Sequence, residues 1–289
     1  MEKKKRIAVI GLGLMGGSLA YAVQGFEGCE VIGYDRNKST MAQALAQGAI
    51  DCQAQSLCEA VREADIILYC SSPRTIIENM YQSFPFLQKG SIVSEICGVK
   101  KDIMQFVSQA LPEGVHYIGI HPMTGKEVGG FENADAALYH HSNMIIVVPP
   151  KYDHGAMTRI RTLCTHIGVK HIVVNSQQEH DSIIAYTSDL MHIAAVGLCV
   201  EYPKEMRMVH TAGSFRDCTR IAKIDADLWT DLLRRNAEYI LPHLRKYIGV
   251  LQSFEGALYN EDGQALHALL ETGNQNKRDI ENKGYHFRS

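Results

Sequence analysis

Two clusters of residues in this chain have the types and spacing for chemistry. Gly11-Leu12-Gly13-Leu14-Met15-Gly16 follows an apolar run, Arg6–Gly11, and precedes a helical pattern. In a strand–turn–helix, such glycines allow a tight turn (Gly11), close approach of backbone to a pyrophosphate (Gly13), and contact of helix with strand (Gly16). The free N–H groups where Leu14 and Met15 open the helix add partial positive charge for phosphates. Asp35, at the end of the next apolar run and about 20 residues on, is placed to accept hydrogen bonds from ribose hydroxyls. Its charge disfavours a 2'-phosphate, so NAD is expected over NADP; Arg36 could hold that phosphate if Asp35 swung away. Ser71-Ser72-Pro73 ends a later strand, where ligands of such sheets bind, and equally suits a helix N-cap with Pro at the first helical position.

The second cluster is His121-Pro122-Met123-Thr124-Gly125-Lys126-Glu127, read as the carboxyl end of a strand Tyr117–His121. A neutral His facing the dinucleotide crevice can take a hydroxyl proton while hydride leaves the same carbon. Its activity should then rise through a pKa near ~6–7. No metal is expected. The 8 Cys form no CxxC and the 13 His no HExxH. Most Cys should be buried small hydrophobes.

The elements that must position these residues alternate in the first half. Apolar runs at Glu30–Asp35, Asp65–Ser71 and Ser91–Ile96 alternate with helical patterns at Leu14–Gln24, Ser39–Gln47 (Ser39 as N-cap), Arg74–Leu87 and Lys100–Leu111. That order implies a parallel sheet covered on both faces. Asn143–Val148 and His171–Val174 add two strands around a helix His154–His166. From Gln177 onward only helical patterns occur, beginning with one long apolar helix, Gln177–Glu201. The fold class is α/β: a Rossmann-type dinucleotide-binding domain over residues 1–175, then an all-helical domain over 176–289. The long apolar helices suggest a helix-mediated homodimer, and the polar tail from Asn276 is expected to fray.

Composition narrows the function classes. The 289 residues carry 29 Lys+Arg against 32 Asp+Glu, a net charge of -3, which excludes a strongly basic nucleic-acid binder. No apolar run reaches the ~18 residues of a membrane helix. No signal-peptide pattern follows the basic start, so a cytoplasmic protein is expected, with no membrane or nucleic-acid partner.

Four segments together, GLGLMGGSLA (Gly11–Ala20), HPMTGKEVGG (His121–Gly130), HDSIIAYTSDLMH (His180–His192) and SFRDCTRIA (Ser214–Ala222), resemble the prephenate dehydrogenase family of tyrosine biosynthesis. The resemblance implies NAD-dependent oxidative decarboxylation of prephenate to 4-hydroxyphenylpyruvate. It implies His121 as the catalytic His, Glu127 as an acidic residue gating or orienting the site, and His192 near the substrate carboxylates. It implies Arg220 as the Arg that holds a carboxylate, for which a guanidinium offers a planar fork. Arg220 could instead form a surface ion pair with Asp217 or Asp225. Asp181, Ala185, Ser188 and His192 recur on one helical face, so Ser188 could orient His192; the same stripe could serve a dimer contact.

Two stretches depart from the family pattern. Where its DxGSVK is usual, the chain has Glu95-Ile96-Cys97-Gly98-Val99-Lys100. Gly98, expected along the cofactor, thus replaces a Ser that often assists the catalytic His, leaving a water or Ser94 to substitute. Cys97 either touches the nicotinamide or is a buried thiol. The family's SHLPH reads Ser188-Asp189-Leu190-Met191-His192, and loss of the Pro should leave the helix straighter. Arogenate dehydrogenase is the nearest alternative. A β-hydroxyacid dehydrogenase or imine reductase would need a Lys that Gln177–Glu201 lacks. A dinucleotide-sensing regulator without turnover is the alternative outside enzymes.

Overall fold

The computed structural model describes residues 4–126 and 128–283. Six parallel strands, β1 (Arg6–Ile10), β2 (Glu30–Tyr34), β3 (Cys52–Gln53), β4 (Ile66–Tyr69), β5 (Ile92–Glu95) and β6 (His116–Tyr117), lie in the order 3-2-1-4-5-6. The crossovers are α1 (Leu14–Ala22), α2 (Lys38–Ala46), α3 (Leu57–Arg62), α4 (Pro73–Ser83) and α5 (Lys101–Ala110). Side-chain alternation divides each strand between two cores. Ile7, Val9, Ile66 and Leu68 enter one, and Ala8, Ile10, Ile67 and Tyr69 the other. Both faces of the sheet are therefore covered, as a strand apolar on both sides requires. Helix α2 is capped by Asn37, whose side chain accepts the Ser39 N–H, rather than by Ser39 itself. The short β3 and α3 carry no periodic signal long enough to read.

The strand expected over Tyr117–His121 is two strands. β6 ends at Tyr117, and Ile118 makes the last link to the parallel sheet, its N–H donating to Val93 O at 3.0 Å. Residues Gly119–Pro122 form β7, which pairs antiparallel with β8 (Asn143–Val147), while β8 pairs parallel with β9 (His171–Asn175). His121 is thus not at the carboxyl end of a strand of the main sheet; it lies within β7, opposite Ile145. Helix α6 (His154–His166) is the crossover between β8 and β9.

A capping box of Ser176 and Glu179 opens α7 (Gln177–Ile184). The expected long helix is interrupted here: Ala185–Asp189 is a π turn, and α8 (Leu190–Val200) continues from it. A π turn holds an extra residue and shifts the phase of the helix beyond it. Asp181 and Ala185 are accordingly buried while Ser188 and His192 are half-buried, not one uniform face. The stretch Gln177–Val200 contains an 18-residue window of mean hydropathy 1.6, long and apolar enough to cross a membrane by length and composition. No unbroken apolar run is readable in the sequence because His180, Asp181, Ser188, Asp189 and His192 punctuate it, and the first two and Asp189 are buried with side-chain partners.

Helices α9 (Gly213–Thr219) and α10 (Ala226–Arg235) flank a 3-10 turn, Arg220–Ala222. Helix α10 ends at Asn236, its C-cap. By internal packing the chain divides after Ala237. The second unit holds the body of α11 (Ala237–Tyr259) and α12 (Gly263–Asn282), with Asp262 capping α12. The tail does not fray at Asn276; α12 runs through it to Asn282.

Candidate active site

The glycine turn has the shape its sequence requires. Gly11 has φ +93°, and a Cβ there would stand 2.6 Å from Cys70 O. A Cβ on Gly16 would stand 1.9 Å from Gly11 O, so strand and helix meet only because both residues lack side chains. Gly13 has nothing within 4 Å of its Cβ position, leaving the backbone open to a ligand. Leu14 opens α1 and is buried; Met15 O accepts the Tyr139 hydroxyl at 2.7 Å. The Asp35 carboxylate accepts Leu12 N–H and Asn37 N–H, each at 2.8 Å, which ties it to the glycine turn. Arg36 is exposed. Ser72 caps α4 by accepting the Thr75 N–H, with Pro73 at the first helical position. Ser71 Oγ, beside Gly11, is buried without a partner among the described residues. An open turn, a helix N-terminus, a carboxylate and an orphaned hydroxyl fit a dinucleotide.

His121 is held by a chain of three side chains. Its Nδ1 lies 2.9 Å from His180 Nε2, and His180 Nδ1 lies 2.7 Å from Asp181 Oδ1. The carboxylate only accepts, so His180 must donate from Nδ1 and accept at Nε2. His121 must then donate from Nδ1, which leaves its Nε2 as a bare lone pair. Asp181 is fixed in turn by the first turn of α5: Lys100 N–H and Lys101 N–H donate to its two oxygens at 3.0 Å each. Gln177 Nε2 adds a third bond at 2.7 Å. These bonds hold the Asp181 carboxyl below the usual range against its burial. Burial first, then the adjoining His180 ring and the Lys100 charge, push His121 well below 6.5, so it is neutral at pH 7. The expected acid limb near ~6–7 therefore moves down.

The strand end beneath His121 is fixed by a buried ion pair. Lys100 Nζ lies 2.6 Å from Glu95 Oε1, both side chains fully buried, and donates to Ile120 O at 2.7 Å. Tyr117 Oη and Cys97 N–H also donate to Glu95, so both of its carboxylate oxygens have donors. Cys97 is a buried thiol, pushed by burial up to about 12. Ser94 is fully buried in β5, and its hydroxyl has no partner among the described residues. A Cβ on Gly98 would lie 3.7 Å from His121 Nε2 and 3.8 Å from Leu232 Cδ2 of α10. Gly98 thus borders the bare nitrogen itself.

Helix α10 also reaches the other half of the site. Trp229 lies over His192, ring centroids 3.7 Å apart at 31°. His192 Nδ1 bonds to Ser188 O at 2.9 Å, so the backbone carbonyl rather than the Ser188 hydroxyl orients it, as i,i+4 geometry allows. The carbonyl fixes the proton on Nδ1 and leaves Nε2 as the accepting nitrogen of the ring. Burial and the nearby Arg220 charge lower the His192 pKa. The structure therefore brings Arg220 to His192, and Leu232 to Gly98 beside His121, with α10 common to both. Glu127 lies outside the described residues. Sequence reasoning missed His180, Trp229, Leu232 and Asn236; the adjacent His180-Asp181 pair was the one local signal available.

The comparisons with known proteins agree along most of the chain. Residues 19–173 match the prephenate dehydrogenase nucleotide-binding domain, and residues 176–272 the prephenate dehydrogenase dimerization domain. The chain belongs to the prephenate dehydrogenase family. A cyclohexadienyl dehydrogenase of Zymomonas mobilis is 32% identical over 269 residues, covering 91% of each chain. A prephenate dehydrogenase of Bacillus subtilis is 28% identical over 94% of this chain and 75% of its own length. The fold matches the crystal structure of prephenate dehydrogenase from Aquifex aeolicus, in complex with hydroxyphenyl propionate and NAD+. That likeness has a TM-score of 0.85 at 24% identity, over 96% of this chain and 99% of that one. The nucleotide-binding match includes His121 and begins just after the glycine turn, and the dimerization match includes His180, His192 and Arg220.

Proposed function

We propose that the chain oxidatively decarboxylates prephenate to 4-hydroxyphenylpyruvate, with NAD as the cofactor. The observation that carries this reading is the bare Nε2 of His121, forced by the bonds to His180 and Asp181 and opening beside Gly98. A neutral imidazole so oriented takes the proton of the C4 hydroxyl, and Asp181 stabilises the charge that spreads onto the two rings. Bound NAD supplies the acceptor for the hydride that leaves C4. The C1–carboxylate bond then breaks, its electron pair makes the ring aromatic, and His121 returns the proton to the phenol oxygen. Atoms and charge balance as prephenate and NAD+ giving 4-hydroxyphenylpyruvate, CO2 and NADH.

The rest of the chain positions the dianion. Arg220 takes one carboxylate, with His192 beside it, and Ser188 serves through its carbonyl. Asp35 takes the ribose hydroxyls, and Gly11, Gly13, Gly16, Leu14 and Met15 cradle the pyrophosphate. Ser71, Ser72 and Gly98 line its path. Division of labour between residues 1–175 and 176–289 follows from this assignment. Ile248, Leu251 and Leu258 are exposed apolar residues of α11, which suits a homodimer through the C-terminal helices.

An absorbance assay for NADH with prephenate or arogenate, each with NAD or NADP, tests the reading. NADH from prephenate and NAD is expected. No reduction with either substrate sinks it and leaves the regulator. The name of the Zymomonas mobilis relative favours a second reading, activity on arogenate as well; comparable kcat/KM on both substrates would establish it.

A further inference from the structure

Asn236 joins the two sides of the π turn that separates the His180–Asp181 pair from His192. Asn236 is 1% exposed at the end of α10, held by its own N–H to Leu232 O at 3.1 Å. Its amide nitrogen donates one proton to Asp181 O at 3.0 Å and the other to Asp189 Oδ2 at 2.7 Å. Both neighbours are acceptors, so the amide orientation is fixed. Asp181 lies in the last turn of α7 and Asp189 ends the π turn, so one side-chain amide bridges the irregularity from end to end. On the near side are His180 and Asp181, which orient His121. On the far side is His192, stacked on Trp229 of the same α10. A π turn is a costly local choice over an α-helix and persists where surrounding bonds fix it.

We propose that Asn236 and Asp189 are positioning residues, locking the π turn so that the His180–Asp181 pair and His192 keep one relative orientation. Without the bridge, Asp189 is left as a buried carboxylate with its Asn236 bond gone, and the turn is free to relax toward regular helix. That relaxation would rotate α8 relative to α7 by roughly the 100° of one residue. His192 would leave Trp229, or His180 would leave His121. The proposal rests on the dehydrogenase reading only for its kinetic readout.

The test compares Asn236→Leu with Asp189→Asn, which keeps a carbonyl oxygen for the Asn236 amide. Two quantities are measured: kcat and KM for prephenate and NAD, and the pH titration of Trp229 fluorescence in substrate-free protein. Trp229 is the single Trp of the chain, so its emission reports protonation of the His192 stacked on it. Asn236→Leu should lower kcat at least tenfold, hold KM for NAD within twofold, and move the Trp229 midpoint by half a pH unit or more. Asp189→Asn should stay within threefold of the parent, with its midpoint unmoved. An unmoved midpoint together with a kcat within threefold of the parent in Asn236→Leu overturns the proposal, as does an equal loss in both variants. If Asn236→Leu does not fold, Asp189→Leu against Asp189→Asn makes the same comparison from the other end. A parent that forms no NADH would sink the dehydrogenase reading while leaving the fluorescence test intact.

Discussion

His121 Nδ1 stands 2.9 Å from His180 Nε2, and this one contact decides which nitrogen of His121 can accept a proton. Because His180 spends its only ring proton on Asp181, it has a lone pair facing His121. The two imidazoles are both neutral in this arrangement, with a single sense of hydrogen bonding. The accepting nitrogen of His121 is therefore assigned by Asp181, through a chain of two hydrogen bonds from a distant part of the sequence.

The pH dependence follows from that contact. Burial lowers the pKa of His121 well below 6.5, and its neutral form is the proton acceptor. The acid limb of kcat/KM is expected below pH 6.5, with activity rising as His121 loses its proton. His121→Asn should lower kcat by ~10²–10⁴, the range of a lost general base, with NAD affinity within twofold. A His121→Asn enzyme with parental kcat would remove the role.

Removal of the middle ring separates orientation from charge. His180→Gln offers a side-chain oxygen to His121 Nδ1, whereas His180→Phe offers nothing. Steady-state rates should fall by about tenfold in the first and a hundredfold or more in the second, on the scale of a misplaced catalytic group. Equal rates in the two variants would mean that the His121–His180 bond is unimportant.

Gly98 has space for a side chain. A Cβ there meets its neighbours at 3.7–3.8 Å, ordinary contact, and the residue is not among those with positive φ. Gly98→Ser should fold with little change in melting temperature and place a hydroxyl beside His121 Nε2. That donor can follow the oxygen as it becomes a carbonyl, so kcat should rise several-fold. A drop in kcat would show that the space is needed by the substrate.

Asp189 predicts a stability effect of defined sign. Burial first, and then Asp181, raise its carboxyl to about 6 despite the Asn236 bond. A carboxyl raised in the folded state favours folding below the unfolded pKa near ~3.9 and loses that contribution as pH rises through about 6. Asp189→Asn should therefore melt higher than the parent at pH 7.5, by an amount on the order of 1–2 kcal/mol, and the gap should narrow toward pH 5. Calorimetry at both pH values checks this; a constant gap would contradict the titration.

Arg220 is expected to act on substrate binding. Arg220→Ala should raise KM for prephenate by about 10-fold or more, matching loss of a charge-assisted bond. Its effect on KM for NAD should be small. A normal prephenate KM would remove the carboxylate assignment.

The sequence by itself determined the parallel sheet, the glycine turn and the helical second half. Each of these depends on local pattern: apolar runs of strand length, glycines where a Cβ would strike backbone at 1.9–2.6 Å, and helical spacing. The motif around His121 was also legible, because a reactive side chain next to a glycine-rich loop is a local feature. Only the tertiary structure decided how that side chain is held. Asp181 reaches Lys100 across 81 positions, His180 reaches His121 across 59, and Asn236 reaches Asp189 across 47. Contacts of that separation leave no periodic trace in the chain. The same holds for the π turn, whose one-residue insertion is invisible in an apolar pattern. Packing fixes it through hydrogen bonds from another helix.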